Sequence, residues 1–165
     1  MIKDLSNFVQ RLYVFEFCAA SLLEYCEGKY QGPMPDEIDA LIQMENGLHY
    51  IHSRELIHNN LKPQNILIPF DNPVQLKLAD FGYSPLHEPD SNWTAPELHQ
   101  TLQIIRNGRL YEQKNAATRA SDTFALGCIF FFFLMKIHPF GTDNISYNIC
   151  IGNNGQFGHG IEWRT

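Results

Sequence analysis

The sequence predicts an α+β domain, mainly helical, with a short β-hairpin and one further strand near the N-terminus. Three observations carry this expectation. Apolar residues keep helical spacing from Asp36 to His52. The turn-forming residues Pro69 to Pro73 separate two short apolar segments. The run from Phe124 to Met135 is almost wholly apolar and contains four consecutive phenylalanines. With 165 residues, 44% of them hydrophobic and 18% charged, the chain fits one globular domain.

The elements follow in order. Leu12 to Phe17 (LYVFEF) is aromatic and branched, which suits a strand. A short helix is expected from Ser21 to Glu27, with Ser21 as its N-cap. Gly28 and Gly32-Pro33 then break the chain. The next helix carries Ile38, Leu41, Ile42, Met44, Leu48 and Ile51 on its apolar stripe, with Gly47 as a weak point. Ile66 to Ile68, the turn, and the alternating Val74, Leu76 and Leu78 make a hairpin. Residues 96–105 are expected to be helical and 106–120 a polar loop. Asp122 or Ser121 is expected to cap a helix starting near Thr123, apolar on every side and therefore buried. His138-Pro139-Phe140-Gly141 ends it, and the Gly/Asn-rich residues 152–165 are expected to be poorly ordered.

Bulk properties exclude several classes. The net charge of -6 argues against an electrostatic nucleic-acid binder. Cys18, Cys26, Cys128 and Cys150 form no CxxC pair, so neither a zinc site nor a redox motif is indicated, and a reducing compartment is expected. Cys128 reads as a small core residue. The N-terminus is no signal peptide. The apolar run of 12 residues is too short to span a bilayer. His49 and His52 share a helix face, yet no third ligand is suitably spaced for a metal.

Three strings carry chemistry, and they come in a fixed order. They are Ile57-His58-Asn59-Asn60-Leu61-Lys62-Pro63-Gln64-Asn65-Ile66-Leu67, then Asp80-Phe81-Gly82, then Ala95-Pro96-Glu97. In order they resemble the catalytic loop, the metal-binding DFG and the APE motif of protein kinases. Glu16-Phe17-Cys18-Ala19-Ala20-Ser21-Leu22-Leu23-Glu24-Tyr25 is similar to the hinge and following helix of the inositol-requiring ER-stress sensors, which are kinase/endoribonucleases of the unfolded-protein response. Gly47 to Ser53, Ser121 to Phe130 and His138 to Gly141 continue that likeness, which covers roughly Leu12 to Gly152. The 2-5A-dependent ribonuclease shares the architecture.

The resemblance implies a partial kinase domain over 1–165. Residues 12–18 would be the last N-lobe strand and hinge, 19–151 the C-lobe and 152–165 a tail. It implies ATP and magnesium as cofactors. Asp80 and Asn65 would be the metal ligands, Lys62 would balance the transferred phosphate, Glu16 and Cys18 would offer hinge backbone groups to adenine, and Leu67 would floor the adenine pocket. His58 and Phe81 match packed spine residues. The implied partners are ATP, a protein substrate and a second kinase domain, with no nucleic acid bound directly and no membrane segment in this chain. The implied setting is cytoplasmic, with a longer parent on the cytosolic face of the endoplasmic reticulum membrane.

The pattern is broken at two positions. Asn60 stands where an active kinase has the aspartate that accepts the substrate's proton, and a carboxamide takes no proton near neutral pH. Losing a positioned base costs about 10²–10⁴-fold. Asn59 replaces the arginine that commonly pairs with a phosphorylated activation segment. The Gly-rich loop, strand lysine and helix glutamate would lie before Leu12, where eleven residues stand, and no G-x-G-x-x-G occurs. These departures set a serine/threonine-kinase-type, ATP-binding domain with impaired transfer against a pseudokinase scaffold and against a non-functional truncated piece.

Overall fold

The computed structural model describes residues 15–81, 92–99 and 117–152. The α+β class expected from the sequence is the class observed. A three-stranded antiparallel sheet, β1 (Cys18–Ser21), β2 (Ile66–Pro69) and β3 (Lys77–Leu78), has β2 at its centre. Four helices accompany it: α1 (Leu22–Cys26), α2 (Glu37–Ser53), α3 (Arg119–Met135) and α4 (Ile145–Ile151). Residues 96–99 are also helical, and the rest of the helix expected through 105 lies outside the described residues. So do residues 12–14 of the first strand and residues 153–165.

The first strand begins later than the aromatic pattern suggested. Residues 15–17 have no regular structure, and Phe15 and Phe17 are exposed. Pairing begins where β2 offers a partner: Cys18 opposite Pro69, an irregularity, then Ala20 opposite Ile68 and Ser21 opposite Leu67. The strand runs directly into α1. Ser21 caps that helix as expected, and Glu24 answers it: the Ser21 backbone N–H donates to Glu24 Oε2 at 2.7 Å, and the Glu24 N–H donates to Ser21 Oγ.

Asp36 caps α2 through the Asp39 N–H at 2.8 Å. Its buried stripe is Ala40, Met44, Leu48 and Ile51, whereas Ile38 and Ile42 face outward. Met44, Leu48 and Ile51 of the expected stripe are buried, and Ala40 joins them in place of Ile38 and Ile42. A Cβ on Gly47 would lie 3.1 Å from Leu78 of β3. The helical glycine that looked like a weakness is a contact point.

In the hairpin only Lys77–Leu78 joins the ladder, although Val74 is buried as the alternation required. The segment before β3 bonds to α2 instead. The Leu76 N–H donates to Gln43 Oε1 at 2.9 Å, and Gln43 Nε2 donates to the Val74 carbonyl at 3.3 Å. A side-chain amide thus replaces a strand partner.

Helix α3 starts four residues before the expected Thr123. Thr118, not Ser121 or Asp122, is the cap: its hydroxyl accepts from the Ser121 N–H, and its own N–H donates to Ser121 Oγ. Ser121 and Asp122 therefore sit inside the first turn. Ala125, Leu126, Cys128, Ile129 and Phe133 enter the core with Leu22, Met44, Leu48 and Ile66. The helix is not covered all round, for Thr123, Gly127, Leu134 and Met135 are exposed. Lys136 ends it at φ +58, in the left-handed region. Its Nζ donates to the Phe133 carbonyl at 2.6 Å and lies 4.6 Å from the ring centres of both Tyr25 and Phe133, which fastens α3 to α1. The His138–Gly141 turn follows, and Asn148 of α4 donates to the Phe140 carbonyl at 2.9 Å.

Candidate active site

The loop from His58 to Lys62 hangs between α2 and the short 3-10 turn Pro63–Asn65. No regular structure satisfies its backbone, so a side chain does. Asp122, only 2% exposed, accepts from the His58 N–H at 2.8 Å (Oδ2) and from the Asn59 N–H at 2.9 Å (Oδ1). His52 Nε2 stands 2.8 Å from Asp122 Oδ2, and because a carboxylate only accepts, that nitrogen carries the proton. Three donors compensate one buried charge. Asp122 and His52 are the residues that the sequence did not reveal in these roles. The available signal was an acidic residue just before a long apolar run, a place where burial of the carboxylate demands partners.

Asn59 has φ +60, a conformation that asparagine accepts more readily than most residues. His58 is fully buried, and its ring meets Phe81 edge-on at 6.3 Å between centres. Burial pushes the His58 imidazole below the usual histidine range, against a weaker opposing pull from the Asp122 charge. Phe81 itself is half exposed.

The loop is tied to the hairpin through Asn65, which is buried. Its side-chain NH₂ donates to the Asn60 carbonyl at 2.8 Å, and its backbone carbonyl accepts from the Ala79 N–H at 2.9 Å. The β2–β3 register, Ile66 opposite Leu78, continues through that bond. Asp80 follows at once with φ +58. Asn65 and Asp80 are thereby brought to one end of the hairpin. With its nitrogen committed, Asn65 keeps its side-chain oxygen as an acceptor. Two oxygen donors of this kind suit magnesium, which takes few protein ligands and completes its shell with water and phosphate. Among the described residues no group of three or more His, Cys, Asp or Glu side chains gathers for a metal.

Cys18 and Leu67 lie on neighbouring strands, with Leu67 partly buried between Ser21 and Lys77. Burial and the nearby Glu16 carboxylate push the Cys18 thiol up. Glu16 pairs with Lys77 at 3.2 Å on the surface. Lys62, Asn59 and Asn60 line a small cleft together with Trp93, Thr94, Ala95, Leu98 and Asp122. The structure therefore separates the expected site residues into a hairpin group (Cys18, Leu67, Asn65, Asp80) and a cleft group (Asn60, Lys62), with the Asn65–Asn60 bond between them.

Residues 2–156 match the family model described as protein kinase domain. The chain belongs to the protein kinase family. Among curated relatives, a serine/threonine-protein kinase/endoribonuclease IRE1 of Oryza sativa is 38% identical over 109 residues, covering 58% of this chain and 11% of the relative. The sensor for unfolded proteins in the ER of Schizosaccharomyces pombe is 32% identical over 149 residues, 72% of this chain and 13% of the relative. A membrane-associated tyrosine- and threonine-specific cdc2-inhibitory kinase of Caenorhabditis elegans is 33% identical over 128 residues, 71% and 16%. The matched stretch thus spans less than a fifth of each relative. In this kinase domain no helix among the described residues is long and apolar enough to cross a membrane.

Proposed function

We propose that this kinase domain binds ATP with magnesium and has largely lost phosphoryl transfer, so that its nucleotide-bound form serves as a scaffold. One observation carries the reading. The Asn65 side-chain NH₂ donates to the Asn60 carbonyl, which leaves the Asn65 side-chain oxygen as an acceptor, while the carboxamide of residue 60 takes no proton near neutral pH. Asp80 and Asn65 would hold magnesium, which neutralises phosphate charge when bound. Backbone groups of Glu16 and Cys18 would meet the adenine, and Leu67 would lie beneath it. Lys62 would face the terminal phosphate. On this reading residues 15–18, irregular up to the start of β1, serve as the hinge and 19–151 as the C-lobe.

The IRE1-type relatives support a place in a sensor kinase of the unfolded-protein response, with the domain on the cytosolic face of the endoplasmic reticulum membrane. A protein substrate or a second kinase domain is the partner such a place supplies. The test is the melting temperature of the chain with millimolar ATP, with and without magnesium. A rise that depends on the metal is expected, since binding to the native state stabilises it. No rise would end the nucleotide reading. In a parallel radiolabelled-phosphate assay, Asn60→Asp is expected to raise transfer by about 10²–10⁴-fold over the native chain. Equal rates would show that residue 60 is not the defect.

A further inference from the structure

We infer that Gln43 of α2 is a positioning residue for Asp80, and the inference rests on the reading of Asp80 as a magnesium ligand. Strand β3 is only Lys77–Leu78, and Asp80 follows it by two residues. So short a ladder is a weak anchor for the segment that carries a metal ligand. Gln43 supplies a further hold just before it. The Leu76 N–H donates to Gln43 Oε1 at 2.9 Å, and Gln43 Nε2 donates to the Val74 carbonyl at 3.3 Å. One planar amide thereby bonds a donor and an acceptor of the main chain, as a neighbouring strand would. It does so from a helix more than thirty positions earlier in the chain.

Helix and strand match in spacing. Gly47 lies one turn beyond Gln43, and a Cβ there would stand 3.1 Å from Leu78. Four helical residues rise about 6 Å, and two strand residues about 6.6 Å. So α2 grips the chain at Leu76 through Gln43 and meets it again at Leu78 beside Gly47. Both leucines are partly buried against the core. From there short links reach the site. Leu78 pairs with Ile66, the Ala79 N–H donates to the Asn65 carbonyl at 2.9 Å, and Asp80 follows with φ +58. Without the Gln43 amide, main-chain bonding of this segment among the described residues falls to the short ladder and the Ala79 bond.

The test compares the full native chain with two variants. Gln43→Met keeps the side chain's length and loses both hydrogen bonds. Asp36→Ala weakens the cap of the same helix without touching the strand. Hydrogen exchange is followed by NMR without metal or nucleotide, as the rate at the Ala79 N–H relative to that at the Ile129 N–H inside α3. Gln43→Met is expected to raise this ratio by about tenfold or more, as for one or two net hydrogen bonds. Asp36→Ala is expected to leave it unchanged. Melting with ATP then gives the magnesium concentration for half of the metal-dependent rise. Gln43→Met is expected to increase that concentration by about tenfold, with the metal-free ATP response unaltered. An unchanged exchange ratio overturns the inference, and so does an equal change in Asp36→Ala. A looser Ala79 with an unaltered magnesium requirement overturns it as well. A native chain with no metal-dependent rise ends the nucleotide reading instead, and the exchange ratio then decides by itself whether Gln43 positions Asp80.

Discussion

At position 60 the loop carries a carboxamide, and the backbone carbonyl of the same residue is bound by the Asn65 side chain. The loop's shape depends on Asp122, which holds two backbone N–H groups and His52 from beneath. Removing that carboxylate would leave three donors without their acceptor. Asp122→Ala is expected to lower unfolding free energy by about 3–5 kcal/mol, as for a broken buried charge network. Urea denaturation measures it. A change no larger than that of a single surface cap would show that the loop holds itself. This residue also shows why sequence fell short. Asp122 precedes an apolar run, so local rules assign it to a cap, whereas its partners lie 63 and 64 positions away. Asn65 and Asp80 stand inside recognisable local strings, so the sequence singles them out without long-range information.

Helix α3 sets where Asp122 stands, and its start is set by Thr118. The capping box with Ser121 fixes the first turn, and one residue of slippage would swing Asp122 by about 100° around the axis. Thr118→Ala is expected to destabilise the domain by about 1 kcal/mol, and Thr118→Ser to restore most of it. Chemical denaturation midpoints of the two variants provide the check, and equal midpoints would remove the cap from the account. The cap was missed because Thr118 lies in a polar stretch with no periodicity. By contrast Ser21 directly precedes a recognisable helix and is legible as its cap. Likewise Val74 and Leu76 alternate as a strand does, yet Gln43 intercepts the backbone. Alternation reports which face is buried, and it does not report who bonds the main chain.

For the molecule as a whole, the buried His58 couples the site to pH. Its folded value lies below the ordinary one, chiefly through burial. A histidine lowered in this way binds fewer protons folded than unfolded. Its full contribution is present above the unfolded value of about 6.5 and is lost as pH falls below it. The urea midpoint is therefore expected to drop between about pH 7 and pH 5, and His58→Phe to flatten that drop. An unchanged pH profile in His58→Phe would assign the acid sensitivity elsewhere. Class and element order were readable at this scale because periodicity and turn chemistry are local. The close approach of Gly47 to Leu78 was not, since it brings α2 against the hairpin across a long stretch of chain.

Lys136 bears on how such a domain could be engineered. Helix-capping rules favour glycine where a helix ends in the left-handed region, and lysine there looks like an obvious target for a stabilising exchange. Here the same side chain closes the Phe133 carbonyl and spans to Tyr25. A glycine would relax one backbone angle and cut the strap between two helices. A rule-based consensus design would improve this position on paper and loosen the joint in solution.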